Sequence, residues 1–261
     1  MRVALNGYIV SDDVVELYRF FGYSVFSPAT IRKAIEENPE GEDLILEVNS
    51  AGGSVIPGFE MFTVLKSAPI TTIAEVQSIA ASAASTMIAG CTKVYVSPVA
   101  QIMMHLPLTS TYGNENAHKT SLRILKSFKE SILNGYETKC RGKTARAQLE
   151  AMMNSETWLT AQQAVEIGLA DGILYQDDGF VLPNSIVNAV GGGIRSLINS
   201  GTGLPDPEQL RAEYNRLKAK EQPVVLGEGK TCDTAAEKAA EDNDGWRARA
   251  RAWLNIEKLR F

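Results

Sequence analysis

A serine, a histidine and a pair of adjacent glycines are the residues of this chain whose types and settings suit chemistry. Ser82 lies in Ile79-Ala80-Ala81-Ser82-Ala83-Ala84-Ser85, where a strand-like run passes into a small-residue helix. A hydroxyl at a helix N-terminus sits beside backbone N–H groups that have no partner inside the helix, and these stabilise developing negative charge. The same segment also reads as a close-packed Ala/Ser helix of the core, and Ser78 and Ser85 remain rivals of Ser82. His105 is one of only two histidines. It closes Gln101-Ile102-Met103-Met104 just before Leu106-Pro107, and strand ends are where α/β folds display catalytic groups. A histidine in an apolar strand equally suits a core position. His118, among Asn114, Glu115, Asn116 and Lys119, reads as part of a solvated helix start. In Asn49-Ser50-Ala51-Gly52-Gly53-Ser54, two adjacent glycines allow the backbone to approach a ligand and aim N–H groups at it, as an oxyanion or anion site requires. A tight strand-to-helix turn is the alternative. The Gly-Lys-Ser/Thr ending of a phosphate loop and the three-glycine dinucleotide spacing are both missing, which disfavours nucleotide binding.

Short strand-like runs alternate with helical ones around these residues, the pattern of an α/β domain. Val3 to Val10 and Leu44 to Asn49 read as strands, the second breaking at Ser50-Ala51-Gly52-Gly53. Ser27 as N-cap and Pro28 in the first turn open a helix through Glu37. Val55 to Lys66 and Ser82 to Ala89 read as helices, and Ile70 to Val76, Lys93 to Val96 and Ala100 to Leu106 as strands. Leu122, Leu125, Phe128, Ile132 and Tyr136 recur at three- or four-residue spacing and predict a long amphipathic helix from Asn116 to Lys139. Two more helices, over 145–153 and 160–168, precede Leu169-Ala170-Asp171-Gly172-Ile173-Leu174.

The 261 residues allow one large domain, or one with an appendage. Lys and Arg total 26 against 31 Asp and Glu, a net charge of −5 that argues against a general nucleic-acid binder. Cys91, Cys140 and Cys232 are odd in number and far apart, which supports neither a disulfide framework nor a thiolate metal site and points to a reducing compartment. The N-terminal apolar patch is too short and too soon broken by acids for a signal peptide, and no run reaches the 18 apolar residues of a membrane helix. A cytoplasmic protein without a membrane partner is the expectation. After Asp177 the character changes: Gly191-Gly192-Gly193, Gly201-Thr202-Gly203 and Pro205-Asp206-Pro207 form a join, and Glu, Lys, Arg and Ala dominate beyond it. Residues 1–190 read as the globular domain and 191–261 as a flexible, charged extension with helical segments. The cluster from Trp246 to Trp253, beside the acidic run Glu237 to Asp244, suits a solvated helix better than a nucleic-acid site.

Four blocks carry a resemblance. Asn49-Ser-Ala-Gly-Gly-Ser-Val, Ala80-Ala-Ser-Ala-Ala-Ser, Met103-Met-His-Leu-Pro and the stretch from Glu156-Thr-Trp to Asp171 resemble, in order, the blocks of the Clp protease proteolytic subunit (ClpP) family over residues 4–175. Asn6-Gly7-Tyr8-Ile9 and Glu156-Thr157-Trp158 are similar to the phage and prophage branch, the ClpP-related head maturation proteases. The resemblance implies an α/β fold of repeated ββα units shared with crotonases, with helix 116–139 as a protruding handle through which rings of subunits stack. It implies Ser82 as nucleophile, His105 as general base and Glu156 as third triad member, where the housekeeping branch has aspartate. Asp171 is the rival acid. The oxyanion hole falls at the N–H groups of Gly53 and Ala83. An extended substrate would lie as an added strand between Ser54-Val55-Ile56 and Leu106-Pro107-Leu108. The order Ser82, His105, Glu156 matches neither chymotrypsin-like nor α/β-hydrolase enzymes, and the Gly-x-Ser-x-Gly elbow is absent. The function implied is an ATP-independent serine endopeptidase that processes capsid or scaffold proteins, without metal or cofactor, as a homo-oligomeric ring or stacked rings. The alternatives are a degradative peptidase serving a host ATPase unfoldase, a crotonase-like acyl-CoA enzyme, and a non-enzymatic shell component.

Overall fold

Leu44-Ile45-Leu46-Glu47-Val48 alternates large apolar residues with partly exposed ones, and Leu44, Leu46 and Val48 are fully buried on one face of the central sheet. The computed structural model describes residues 1–176 and 204–221. Its strands in chain order are β1 (Arg2–Ile9), β2 (Val25–Phe26), β3 (Leu44–Gly53), β4 (Thr72–Ala81), β5 (Lys93–Val96), β6 (Gln101–Met104), β7 (Thr157–Thr160) and β8 (Gly172–Ile173). The helices are α1 (Val15–Phe20), α2 (Pro28–Glu36), α3 (Val55–Ser67), α4 (Ala83–Ile88), α5 (Glu115–Cys140), α6 (Arg146–Asn154), α7 (Ala161–Glu166) and α8 (Pro207–Glu221). The sheet runs β2-β1-β3-β4-β5-β8 with parallel neighbours; β6 joins β4 in parallel, and β7 lies antiparallel to β6.

The long strand β4 forks. Its first half, Ile73 to Val76, pairs with β5, and its last residues, Ile79 to Ala81, pair with β6. The sequence pattern ends this strand at Val76 because Gln77 and Ser78 are polar. The strand continues because Ile79 to Ala81 find backbone partners on β6 and Ala80 pairs with Ser50 of β3, while the exposed Ser78 hydroxyl donates to Asn49 Oδ1. Strand β3 likewise runs on through Ser50 to Gly53, where the sequence suggests a break: Tyr8 pairs with Gly52 and Ile9 with Gly53 after a register shift. Helix α1 and strands β2 and β7 lie where no local pattern announces them, and α7 is shorter than the helix the sequence suggests over 160–168.

Helix α5 is capped by the Asn114 side chain, which accepts from the Ala117 N–H, and its second half packs through Ile132, Leu133, Tyr136 and Cys140. In its first half Leu122 and Ile124 are exposed, so the apolar stripe read in the sequence is covered over only part of its length. A second, smaller core holds Val10, Val14, Val15, Tyr18, Phe21 and Val25 with Leu210 of α8. The glycine-rich joins at 191–193 and 201–203, the acidic run at 237–244 and the cluster at 246–253 lie outside the described residues.

Candidate active site

The fork of β4 brings Ser82 and His105 together. Ala81 pairs with Met103, the Ser82 N–H donates to the Met103 carbonyl at 3.0 Å, and each strand ends at that level, with Ser82 following β4 and His105 following β6. His105 Nε2 lies 2.7 Å from Ser82 Oγ. In the tautomer that carries its proton on Nδ1, this nitrogen accepts from the hydroxyl, the contact a general base makes with its nucleophile.

Ser82 has φ 55° and ψ −124°, a backbone conformation unusual for a side-chain-bearing residue and costing about 1–3 kcal/mol. Its carbonyl holds it there, accepting from the N–H groups of Ser85 at 3.0 Å and Thr86 at 3.3 Å and from Ser85 Oγ at 2.6 Å. The turn throws the Ser82 side chain out of the strand while Ala83 starts α4, so the Ala83 N–H belongs to the unpaired donors of a first helical turn. Of the rival serines, Ser85 is fully buried in this carbonyl contact and Ser78 is bound to Asn49. Neither faces His105 as Ser82 does.

Gly52 and Gly53 have φ +98° and +148°. A Cβ on Gly53 would stand 2.2 Å from the Ile9 carbonyl oxygen, and one on Gly52 2.6 Å from that of Ala81 and 2.8 Å from Ser82 Cβ. The two glycines thus lie edge-on between β1 and the Ser82 turn. Ser54 follows with its N–H on Ile9 O at 2.9 Å. Beside Ser82 and His105 is a cavity of about 20 Å³ lined by Val55, Phe59, Ala83, Thr86, Pro107, Ile132 and Tyr136, with room for about one water-sized group. Ser54, Val55 and Ile56 also border an open groove of about 680 Å³. Ile56 and Leu108 are each 64% exposed, whereas Pro107 is buried and Leu106 packs partly against the core.

Glu156 precedes β7 with φ 47°. The last pair of this antiparallel ladder is Met104 with Thr157, so His105 comes one residue after β6 and Glu156 one residue before β7. Asp171 is committed elsewhere: its carboxylate accepts from the Val94 N–H at 2.7 Å and from the buried Lys139 ammonium at 2.5 Å, tying α5 to β5. His118 lies in the exposed first turn of α5. The structure adds Tyr136, which the sequence offers only as an apolar position of a long helix: its hydroxyl lies 2.8 Å from Ser85 Oγ, directly behind the Ser82 turn. Burial pushes this phenol above the ordinary tyrosine range, keeping it protonated.

Among the described residues, no group of three His, Cys, Asp or Glu side chains is placed to hold a metal ion, and no helix is long and apolar enough to cross a membrane. The family model described as Clp protease matches residues 33–177, more than half of the chain. The ATP-dependent Clp protease proteolytic subunit 1 of Chlamydia muridarum is 33% identical over 150 residues, covering 54% of this chain and 74% of that protein. The protein of the same name from Chlamydia trachomatis serovar D is 35% identical over 147 residues, 53% of this chain and 72% of its own length. A Chlamydia pneumoniae counterpart is 29% identical over 187 residues, 64% of this chain and 92% of its own.

Proposed function

The chain belongs to the Clp protease family, a family of serine peptidases that act on polypeptides and form oligomeric rings, and from that premise we propose that it is an endopeptidase whose nucleophile is Ser82. The observation that carries the reading is the 2.7 Å contact between Ser82 Oγ and His105 Nε2 at a strained strand-to-helix turn. Ser82 Oγ attacks the scissile carbonyl carbon and passes its proton to His105 Nε2. The oxyanion is held by the N–H groups of Gly53 and Ala83. His105 then returns the proton to the leaving amine as the C–N bond breaks. Water, deprotonated by the same imidazole, attacks the acyl-enzyme; the proton returns to Ser82 Oγ and the acid product leaves. Glu156 orients His105 and stabilises the imidazolium. Substrate lies extended between Ser54-Val55-Ile56 and Leu106-Pro107-Leu108.

For substrates, the reading extends to capsid or scaffold proteins of a phage or prophage head, cleaved without ATP. It is supported by the long charged stretch beyond residue 177, where the family match ends. A second reading, a degradative subunit served by an ATPase unfoldase, is favoured by the names of the Chlamydia relatives. A fluorophosphonate should label the wild type and Ser85→Ala but not Ser82→Ala, and labelling that survives Ser82→Ala would sink the assignment. Incubation with the capsid or scaffold protein encoded beside this chain, and with casein in the presence of an AAA+ unfoldase and ATP, separates the two readings by which polypeptide is cut.

A further inference from the structure

The hydroxyls behind Ser82 form a directed chain. A hydroxyl has one proton to give. Ser85 Oγ spends its proton on the Ser82 carbonyl at 2.6 Å, so in the 2.8 Å contact with Tyr136 it accepts and Tyr136 donates. Tyr136, its proton used, accepts from Thr86 Oγ1 at 3.5 Å, the weak outer end of the chain. All three side chains are buried, Ser85 completely, in a setting where such bonds are stronger than in water and polarise one another. The carbonyl that receives this chain belongs to the same peptide unit as the Ala83 N–H. Donors on the oxygen of an amide draw electron density toward it and make the N–H at the other end a better donor. They also fix the plane of that peptide, and with it the direction of the N–H, at a residue whose backbone conformation is strained.

We propose that Tyr136 and Ser85 are positioning residues of the peptidase, a hydroxyl chain that orients and polarises the Ser82–Ala83 peptide so that the Ala83 N–H binds the oxyanion. This rests on the reading of Ser82 as nucleophile and Ala83 as oxyanion donor. It assigns to α5 a part in the reaction: Tyr136 lines the cavity beside Ser82, and its hydroxyl reaches Ser85 behind the turn. The effect is one of the transition state, because a ground-state carbonyl accepts less strongly than an oxyanion.

The test compares wild type, Tyr136→Phe, Ser85→Ala and the double variant with a fluorogenic peptide, a peptide boronate as tetrahedral mimic, a fluorophosphonate and thermal unfolding. Phenylalanine keeps the ring and its packing, and Ser85→Ala reports on the same chain if Tyr136→Phe folds poorly. Tyr136→Phe should lower kcat and boronate affinity together by about 3–10-fold with KM within about twofold. Ser85→Ala should cost more, and the double variant no more than Ser85→Ala, since both interrupt one chain. Labelled wild type with kcat and boronate affinity unchanged in Tyr136→Phe overturns the proposal, as do losses that multiply in the double variant. A wild type that no fluorophosphonate labels overturns the peptidase reading itself, which keeps the two failures distinct.

Discussion

Glu156 and Asp171 are two acids of one sequence block, and their settings differ. Asp171 spends its carboxylate on Lys139 and the Val94 N–H, at the end of the sheet where β5 meets β8. Glu156 stands at the β6–β7 end, one residue before β7 as His105 is one residue after β6, and the proposed triad pairs the two. Replacing a carboxylate that orients and stabilises an imidazolium by a neutral amide removes the charge and misdirects the tautomer. Glu156→Gln should therefore lower kcat by about 10²–10⁴-fold with KM little changed, while Asp171→Asn keeps its kcat per folded molecule. Steady-state kinetics with one peptide settles both, and a Glu156→Gln enzyme within twofold of wild type would remove Glu156 from the triad. Ser82, His105 and the glycine pair were legible in the sequence as candidates, since small residues and a strand-end histidine leave a local signature, but Ser78 and Ser85 rivalled Ser82 there and only the family resemblance chose among them. Tyr136 was not legible: it lies 51 residues from Ser85, and its hydroxyl does its work from a position that the helical pattern reads as apolar.

At the scale of elements, what the sequence hid is what neighbouring chain segments supply. Strands β3 and β4 outrun their apolar patterns because the last residues of β4 pair with β6 and the glycines of β3 pair with β1. Helix α8 falls within the stretch read as a charged extension, and its mean composition is polar. Yet Leu210, Tyr214 and Leu217 recur at four and three residues, a short apolar stripe. Leu210 is 1% exposed among Val10, Val14, Tyr18 and Val25; Tyr214 stands edge-on to Phe20 at 4.7 Å, and the Tyr18 hydroxyl donates to the Pro205 carbonyl at 2.7 Å. Leu210→Ala deletes apolar volume from this small cluster and should cost the docking of α8 about 2–4 kcal/mol. Hydrogen exchange would read it as at least about tenfold faster exchange of the α8 amides with β3 and β4 still protected. Unchanged protection of α8 would mean that Leu210 does not hold it.

Over the whole molecule, the alternation of strands and helices announced an α/β sheet, but its order and the fork of β4 depend on pairings between distant segments that no local pattern encodes. The same burial that builds this core sets how the fold responds to alkali. Burial pushes the Cys91 thiol up to about 12, with nearby Lys139 offsetting it only in part, and the Cys140 thiol up to about 11. Tyr18 is raised to about 12, chiefly by burial and secondarily by Asp206, while Tyr23 and Tyr136 are raised by burial. In the unfolded chain the thiols lose their protons near pH 9 and the phenols near 10. Above pH 9 the folded state therefore holds more protons than the unfolded one, and stability falls as pH rises until the folded groups themselves titrate. A fully buried thiol contributes a slope of at most about 1.4 kcal/mol per pH unit. Urea midpoints of the wild type under reducing conditions should fall steadily from pH 9 to 11. Cys91→Ala should start lower at pH 8, because it opens a small void, and decline less steeply, so that the two curves converge. Curves that stay parallel across that range would show that Cys91 remains protonated in both states or in neither, and the alkaline weakness would then belong to the tyrosines and to Cys140.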